Sequence, residues 1–268
     1  MNKIKNINKV LHVFILLIFI FYIFYFTHNL LKSNNIVYIE NFDNNEIPKI
    51  IIQTWKTKLI PHKYKNDIKS CEIYNPGYEY KFFSDDDIDD FLGEFYPEWY
   101  ETYNKLPIKI QKIDFFRYVA IYHFGGFYLD LDMTVLKNFD NLVKYDCVFP
   151  IDQHINCKTY SYKRFKNICE KDRTLKTIIG QYAFGAKKNN EFIKLLIDNI
   201  HYNIDLLVEK QNETNIYVYA STGPDYVTNV YLEYIKDINH KNKIEILYNS
   251  DEQHFGEYAK HNHYGTWK

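Results

Sequence analysis

The sequence predicts one α/β domain with a mainly parallel central sheet flanked by helices, preceded by a single N-terminal transmembrane helix. From residue 47 onward, segments with strand patterning alternate with segments of helical patterning, which is typical of strand-helix-strand folds. With 46% hydrophobic residues and only 9 Gly and 7 Pro in 268 residues, the composition excludes disordered and collagen-like classes. The formal net charge of -1 does not favour a nucleic-acid-binding surface, so no nucleic-acid partner is expected.

The N-terminus is predicted to anchor the chain in a membrane. The run from Val10 to Phe26 is apolar apart from His12, and two further leucines extend it to residue 31, a length that suits a bilayer core. Three lysines precede the run and one follows it closely, so the positive-inside rule predicts type II topology. A cleaved signal peptide is the alternative, but no small-residue cleavage site follows Phe26. We expect a cytoplasmic tail (1–9), a signal anchor (10–31), a polar stem (32–46) and a lumenal domain (47–268).

The predicted lumenal location bears on the cysteines. Cys71, Cys147, Cys157 and Cys169 could form disulfides there, although buried free thiols are an equal alternative. Their spacing contains no CxxC pair, so it gives little support to zinc or redox chemistry. Asn212 begins an N-glycosylation sequon, which the same compartment would allow to be used.

The first elements of the domain follow from local patterning. Ile47 to Trp55 has the β-branched run of a buried strand, with a proline near its start, where a lost N–H is tolerated. Tyr78 to Phe83 alternates like a second strand. Ser84 and the three aspartates after it form a capping pattern, which predicts a helix around Ile88 to Phe95.

A longer helix precedes the most informative strand. Ile110 to Phe124 has helical patterning and ends at Gly125-Gly126, and Phe127 to Asp132 is predicted as a strand that leaves this turn. A further helix is predicted over Phe192 to Val208. The sequence shows no internal repeat and no second-domain boundary.

Two carboxylates end the predicted strand. Asp130 and Asp132 are two residues apart, so on a strand they leave the same face, at the carboxyl edge where α/β proteins place ligands. A divalent cation such as Mn²⁺ or Mg²⁺ between them and a phosphate would relieve their repulsion. A solvent-facing pair is the plainer alternative, because a D-x-D pattern alone is common.

The preceding helix carries two charges on one face. Asp114 and Arg117 stand at i and i+3 in an otherwise apolar segment, where uncompensated charge is costly. An intrahelical ion pair explains them. A ligand site also explains them, since Arg matches diphosphate geometry and Asp accepts from sugar hydroxyls.

Six segments together form a more specific pattern than either motif. They are Ile47–Trp55, Asn75–Tyr80, Ile110–Tyr118, Gly125–Asp132, Thr222–Asp225 and His261–Trp267. This set resembles glycosyltransferase family 32, which includes fungal Golgi mannosyltransferases and mannosyl inositol phosphorylceramide synthases. The resemblance covers about residues 47 to 267, and its D-x-x-R and G-G-x-Y-x-D-x-D core is far more specific than an isolated D-x-D.

The resemblance implies a GT-A fold that transfers a hexose from a nucleotide-sugar with retention of configuration, using Mn²⁺ or Mg²⁺. The donor would be GDP- or UDP-linked, with a weak preference for mannose, and the acceptor a glycan or glycolipid in a Golgi- or ER-like lumen or a host membrane system. The implied donor-binding residues are Gln53, Thr54, Trp55, Asp114, Arg117, Tyr128, Thr266 and Trp267. The implied metal ligands are Asp130, Asp132, His261 and His263.

The candidate catalytic residues are Asp130, Asp132 and, on the acceptor side, Asp225, although Gly-Pro-Asp is also ordinary turn chemistry. Retention leaves two mechanisms open: a carboxylate nucleophile, or same-face attack with the leaving phosphate as base. The sequence departs from the family pattern at Ile52, where His is frequent, and at Thr266, which keeps the hydroxyl of the usual Ser.

Two other functions fit parts of the sequence. Asp130 to Thr134 matches the D-x-D-x-T signature of haloacid-dehalogenase-like phosphatases, but some 80 domain residues precede it, whereas that fold normally begins with this strand. A membrane-tethered binding module without catalysis is the second alternative. Nucleotide-sugar turnover separates these possibilities from a glycosyltransferase.

Overall fold

A sheet of seven strands with helices packed against it forms the centre of the structure. The computed structural model describes residues 45–158, 163–211, 215–251 and 253–265. The predicted membrane anchor, the Asn212 sequon, Thr266 and Trp267 lie outside these residues. Within the described ranges, no helix is both long enough and apolar enough to cross a bilayer.

The elements alternate along the chain as the patterning predicts. The strands are β1 (Ile50–Thr54), β2 (Glu79–Phe83), β3 (Gly126–Leu129), β4 (Met133–Val135), β5 (Cys147–His154), β6 (Thr177–Ile179), β7 (Ala183–Ala186), β8 (Ile244–Leu247), β9 (His254–Phe255) and β10 (Ala259–His261). The helices are α1 (Lys65–Tyr74), α2 (Asp85–Phe95), α3 (Pro97–Lys105), α4 (Lys109–Phe124), α5 (Lys166–Lys171), α6 (Glu191–Tyr202), α7 (Ile204–Glu209), α8 (Asn215–Ser221) and α9 (Pro224–Tyr234).

The central sheet is mainly parallel in strand direction but contains antiparallel neighbours. β1 pairs in parallel with β2 and β3, and β5 pairs in parallel with β8. β7 runs antiparallel between β3 and β5, and β6 runs antiparallel to β5. Five of the seven strands therefore point the same way, and the ends of β1, β3 and β5 share one edge of the sheet. A second, three-stranded antiparallel sheet joins β4, β10 and β9.

The start of α2 shows why the acidic run after Ser84 forms a helix. The Asp87 backbone N–H donates to Ser84 Oγ at 3.3 Å, and the Ser84 backbone N–H donates to Asp87 Oδ2 at 3.0 Å. This capping box satisfies orphan donors of the first turn, so the helix starts at Asp85, earlier than the apolar pattern predicts.

The Gly125-Gly126 turn allows β3 to pack tightly against β1. Gly126 has a φ of +95°, and a Cβ there would lie 2.6 Å from the Ile50 carbonyl oxygen. Only glycine fits this conformation and this approach. The turn therefore sets where β3, and the residues that follow it, leave the sheet.

Two element predictions need correction. The predicted helix from Phe192 to Val208 is broken at Asn203, where one helix ends and a shorter one starts. The predicted strand from Phe127 to Asp132 ends at Leu129, so Asp130 and Asp132 lie in a turn. Backbone alternation therefore does not bring the two carboxylates together. The turn does, and the Met133 N–H closes it by donating to the Asp130 carbonyl at 3.1 Å.

Alternate residues of β3 divide the core into two layers. Tyr128 packs with the cluster formed by α4 and α6, whereas Phe127 and Leu129 pack with the cluster on the opposite face, beside the small sheet. Both clusters are rich in aromatic side chains, each of which buries a large apolar area.

Two of the four cysteines form a bridge, which settles an alternative that the sequence left open. Cys157 and Cys169 are joined by a disulfide across the segment between β5 and β6. Cys71 and Cys147 are buried free thiols.

Candidate active site

A cavity of about 510 Å³ opens at the carboxyl edge of the central sheet. Residues at or just beyond the ends of β1, β3 and β5 line it, together with residues from the loop before β7, where the antiparallel strand begins. α/β proteins bind ligands at this edge because the loops after parallel strands converge there. The lining includes Thr54, Trp55, Tyr64, Asp114, Arg117, Tyr128, Asp130, Asp132, Asp152, Gln181, Tyr182, Tyr219, His261 and His263.

Three side chains form a group suited to a metal ion. Asp130, Asp132 and His261 each present one ligand atom, and these atoms lie within 4.8 Å of one another. His261 Nε2 lies 3.1 Å from Asp132 Oδ1, and the Tyr264 backbone N–H donates to Asp132 Oδ2 at 2.9 Å. Carboxylate oxygens and one imidazole nitrogen suit Mn²⁺ well, so these residues fit a divalent cation. Among the described residues, His263 is not in the group, although its ring lies against His261 with centroids 4.3 Å apart.

The electrostatics of the group favour a positive charge between the carboxylates. Burial raises the pKa of Asp130, and the nearby Arg117 charge offsets this only in part. Burial acts on Asp132 as well, but the hydrogen bond and charge of His261 outweigh it and lower the pKa of that carboxyl. The two carboxylates in turn raise the pKa of His261 against the opposing effect of burial. A cation bound there would take over the neutralising role that a protonated imidazole otherwise has.

The small sheet brings His261 to the carboxylates across 129 positions of sequence. His261 in β10 is the register partner of Met133 in β4, directly after the Asp130–Asp132 turn. Asp67, Thr134 and Asn262 form a hydrogen-bonded group, called the hub here, that holds this strand. Asp67 Oδ1, from α1, accepts from Thr134 Oγ1 at 2.5 Å and from Asn262 Nδ2 at 3.0 Å. The hub therefore fixes Asn262, the residue directly after His261.

Arg117 lies buried beside the metal group and is held from several sides. Its Nη1 donates to the backbone carbonyl and to the side-chain oxygen of Gln181, both at 2.9 Å. Its Nη2 lies 3.2 Å from Asp114 Oδ1 and 3.5 Å from Asp130 Oδ1, and its guanidinium sits over the Tyr128 ring at 4.6 Å. The intrahelical ion pair with Asp114 thus exists, and both residues also line the cavity, so the ligand-site interpretation stays a prediction.

Asp114 is a buried carboxylate with a complete set of partners. It is 2% exposed and accepts from Thr222 Oγ1 at 2.8 Å and from Gln181 Nε2 at 3.1 Å. Burial raises its pKa to about 6, although Arg117 and these hydrogen bonds act in the opposite direction. It therefore anchors the guanidinium from the side facing α9.

The end of β1 supplies an aromatic wall. Trp55 lines the cavity and packs on Tyr64 with ring centroids 5.0 Å apart. Thr54 Oγ1 lies 3.2 Å from the Tyr128 hydroxyl, which donates to Asp130 Oδ1 at 2.8 Å. Trp55, Thr54 and Tyr128 therefore share one side of the cavity, and their contact with a donor stays a prediction.

Two predicted site residues lie behind the cavity wall. Gln53 is fully buried and outside the lining. It donates to the Asp130 carbonyl at 3.2 Å and accepts from the Tyr80 hydroxyl at 2.8 Å, so it supports the turn instead of facing a ligand. Asp225 is also buried, and its carboxylate accepts from Arg164 through Nε at 2.8 Å and Nη2 at 2.7 Å. Its carboxylate is therefore engaged by arginine and lies outside the cavity lining.

Sequence reasoning missed several polar residues of the cavity, and three of them lie in or beside β5, β6 and β7. Gln181 and Tyr182 lie between the apolar strands β6 and β7. Because burying an unpartnered polar side chain is costly, polar residues between two apolar strands indicate that they face a cavity or a partner. Asp152 follows the apolar half of β5, as Asp130 follows β3, so the same strand-end argument could have identified it.

The fold and the site together define a class of protein: an α/β protein whose sheet-edge cavity holds a carboxylate–histidine group suited to a divalent cation, beside a buried arginine. Residues 61–149 match the family described as "Glycosyltransferase sugar-binding region containing DXD motif". The match confirms the resemblance found in the sequence.

Two curated relatives share part of this chain. The chain is 39% identical over 128 residues to "Inositol phosphoceramide mannosyltransferase 3" of Schizosaccharomyces pombe, which covers 47% of this chain and 36% of the relative. It is 35% identical over 103 residues to "Initiation-specific alpha-1,6-mannosyltransferase" of Saccharomyces cerevisiae, covering 35% of this chain and 22% of the relative. The matches therefore span about a third or less of the relatives' own length.

A solved structure supports the fold. The ligand-free glycosyltransferase domain from the YGT toxin matches with a TM-score of 0.50 over 75% of this chain and 80% of that domain. The sequence identity is 10%, so this likeness concerns the fold alone. It agrees with the α/β glycosyltransferase fold that the sequence predicts.

Proposed function

We propose that the protein is a glycosyltransferase that moves a hexose, with mannose as the favoured sugar, from a nucleoside-diphosphate donor to an acceptor hydroxyl. The observation that carries the proposal is the convergence of Asp130, Asp132 and His261 with the buried Arg117 in one cavity. Cleavage of the sugar-phosphate bond leaves negative charge on a diphosphate, and a cation held by the two aspartates and His261, together with the Arg117 guanidinium, would place positive charge where that charge develops.

The residues have distinct tasks in this proposal. Asp130, Asp132 and His261 would hold Mn²⁺ or Mg²⁺, which when bound stabilises the charge of the departing diphosphate. Arg117 binds the donor phosphate or sugar with a guanidinium whose orientation Gln181 and Asp114 fix in advance. Trp55 offers its ring to the base, as the aromatic wall of the cavity.

We place the catalytic carboxylates at Asp130 and Asp132 and assign Asp225 a structural role. Asp225 is tied to Arg164 by three hydrogen bonds of 2.7 to 3.1 Å and does not line the cavity. Transfer with retention of configuration remains the stereochemical outcome that the family resemblance implies.

The names of the relatives suggest the donor and the acceptor. Both named relatives are mannosyltransferases, and one acts on inositol phosphoceramide, so we propose GDP-mannose as donor and a glycolipid or glycan as acceptor. We also propose that the chain is a type II membrane protein with a lumenal domain, because the Cys157–Cys169 disulfide suits an oxidising compartment.

The geometry does not favour the phosphatase alternative. The Thr134 hydroxyl, which completes the D-x-D-x-T signature, donates to Asp67 and does not line the cavity. The two aspartates of the signature instead share the cavity with His261 and Arg117.

A donor panel tests the proposal. The full chain, purified in detergent, would be incubated with GDP-mannose, UDP-galactose or UDP-N-acetylglucosamine in Mn²⁺ or in EDTA, with the melting temperature and nucleoside-diphosphate release as readouts. We expect GDP-mannose with Mn²⁺ to raise the melting temperature most and to be turned over, since a ligand of the folded state stabilises it by mass action. Release of phosphate from simple phosphoesters, with no response to any nucleotide-sugar, would contradict it.

A further inference from the structure

A bulge in β5 changes the direction of one side chain at the cavity. Ile151 pairs with Ile179 and Gln153 pairs with Ile178, so Asp152 is an extra residue between two paired positions. Bulges next to ligand sites commonly re-aim a side chain that regular pairing would direct elsewhere. Asp152 lines the cavity and is only partly buried. It is therefore one of five aspartates that line the cavity, with Asp85, Asp114, Asp130 and Asp132.

Asp152 lies apart from the metal group. Within the described part of the chain, the cluster of ligand atoms includes Asp130, Asp132 and His261 but not Asp152. Its negative charge contributes to raising the pKa of His261 and Tyr182 on one side. It also contributes to raising the pKa of Arg164 and Tyr219 on the other. Asp152 thus shares the cavity both with the metal group and with Tyr219, which belongs to a second group of residues.

The second group is built around Arg164. The guanidinium of Arg164 stacks over the Tyr219 ring at 4.1 Å and donates through Nη1 to Gln153 Oε1 at 3.3 Å. Its three hydrogen bonds to Asp225 tie it to the N-terminal turn of α9, whose first residue, Pro224, also lines the cavity. Arg164 therefore connects the bulged strand, the aromatic ring and the start of α9.

The segment that carries Arg164 is covalently closed. The Cys157–Cys169 disulfide joins the two flanks of this segment, and both cysteines pack in a small apolar cluster with Phe165, Ile168 and Leu232. The bridge holds the arginine near its partners, since it limits the separation of the flanks.

We propose that Asp152 and Tyr219 form a polyol-binding subsite for the acceptor, with Arg164 as the residue that positions both. A carboxylate accepts hydrogen bonds from sugar or inositol hydroxyls, and an aromatic ring offers a flat apolar surface to the C–H face of a sugar ring. The assignment of this subsite to the acceptor rests on the proposed glycosyltransferase function. The binding of a hydroxyl-rich molecule is a separate property that can be measured without turnover.

Polyol binding tests the subsite directly. The full chain, saturated with GDP and Mn²⁺, would be titrated with myo-inositol and with methyl α-mannoside, and the dissociation constants would be read by saturation-transfer NMR. We expect Asp152→Asn to weaken binding of at least one polyol about tenfold, because the lost charge-assisted hydrogen bonds are among the stronger ones. The affinity for GDP with Mn²⁺ should change less than twofold. Unchanged polyol affinity in Asp152→Asn would overturn the proposal, and the two polyols distinguish an inositol headgroup from a sugar.

Tyr219 and Arg164 give independent arms of the same experiment. Tyr219→Phe should retain polyol affinity and Tyr219→Ala should lose it, because the ring face is the feature that matters. With a transferable acceptor, Arg164→Lys should raise the acceptor KM and leave kcat at saturation, since the substitution displaces the subsite without touching the reacting atoms. Glu170→Gln, an exposed position on the same segment, is the matched control. Equal effects of Tyr219→Phe and Tyr219→Ala, or a fall in kcat alone for Arg164→Lys, would contradict the assignment.

Failure of this inference can be told apart from failure of the proposed function. If the wild-type chain neither binds GDP with Mn²⁺ nor hydrolyses a nucleotide-sugar, the proposed function fails. In that case, polyol binding by wild type but not by Asp152→Asn still supports the subsite. If donor turnover is normal and Asp152→Asn binds polyols as wild type does, the subsite fails alone.

Discussion

Arg117 is the residue on which the donor side of the cavity depends most. A buried guanidinium is costly unless its donors are satisfied. Gln181 accepts from Nη1, and Asp114 and Asp130 lie beside Nη2, whereas Nε has no hydrogen-bond partner among the described residues. Because these groups orient it before any ligand arrives, little ordering is required on binding. The same contacts also give the residue a structural role, so its substitution must be tested with separate readouts.

We expect Arg117→Lys to weaken the binding of GDP-mannose with Mn²⁺ by about tenfold or more, because lysine keeps the charge but loses the fork that holds a phosphate in two places. Calorimetric titration measures the affinity, and a thermal melt of the same sample reports the fold. Arg173→Lys, at an exposed arginine, is the matched control. Loss of the folded state without a separable loss of donor affinity would favour a purely structural ion pair.

Asp114 gives a prediction on pH. Its pKa in the folded state is raised to about 6 by burial, so between about pH 4 and pH 6 the folded protein binds more protons at this site than the unfolded chain does. This contribution to stability is present in full below the unfolded pKa and is lost as the pH rises through the folded pKa. Relative to Asp114→Asn, wild type should therefore lose on the order of 1 to 3 kcal/mol of unfolding free energy over this range. Urea unfolding at pH 4, 5, 6 and 7 measures the difference, and parallel pH profiles of the two proteins would contradict it.

At the scale of elements, the small antiparallel sheet determines whether the metal group is assembled. β10 carries His261, and the residue after it is tied to Asp67 in α1 and to Thr134 in β4. Groups that orient a metal ligand without touching the ion commonly contribute strongly to affinity. The hub is thus the link between helix packing and the site.

Asn262→Ala should lower the apparent affinity for Mn²⁺ about tenfold, since it removes the two side-chain bonds that hold the strand beside His261. The measurement is an Mn²⁺ titration of nucleotide binding, and Lys260→Ala, an exposed position on the same strand, serves as control. An unchanged Mn²⁺ titration, with a melting temperature lowered by the loss of the bonds, would mean that the hub is structural only.

Much of this element order could be predicted from the sequence, and the failures have physical causes. The capping pattern at Ser84 and the Gly125-Gly126 turn are local signals, and both identify element boundaries in the structure. The break at Asn203 has no proline or glycine to announce it. The carboxylate pair was placed on a strand because Phe127 to Asp132 is apolar enough to continue one, yet the turn at Asp130 ends it.

The site was predictable where motifs are local and unpredictable where partners are distant. Asp114, Arg117, Asp130 and Asp132 lie within one short stretch and share one cavity, as expected. Gln181 lies 64 positions after Arg117 in the sequence, and no pattern near either residue indicates the hydrogen bond between them. Asp225 was predicted as a site residue from a turn motif. Its buried carboxylate is instead paired with Arg164, 61 positions away in the sequence. Tertiary pairing, which sequence spacing does not reveal, decides such roles.

At the scale of the whole molecule, the central proposal is a membrane-anchored domain with its donor site at the carboxyl edge of the sheet. The predicted anchor ends before the described fold begins, and the cavity is lined by residues from Thr54 onward. Deletion of residues 1–32 should therefore yield a soluble chain that still turns over its donor. Protease protection in sealed microsomes tests the orientation of the full chain, and digestion of the domain without detergent would reverse the proposed topology.

The most direct test of the account is the metal dependence of nucleotide binding. Calorimetric titration of GDP into the full chain would be compared in Mn²⁺ and in EDTA, for wild type, for Asp132→Ala and for Glu257→Gln, an exposed control position. We predict that Mn²⁺ strengthens GDP binding at least tenfold in wild type and in the control, and not in Asp132→Ala, which should keep its fold because the substitution also removes carboxylate repulsion. Equal GDP affinity in EDTA and Mn²⁺, or an Asp132→Ala variant that responds to Mn²⁺ as wild type does, would contradict the account.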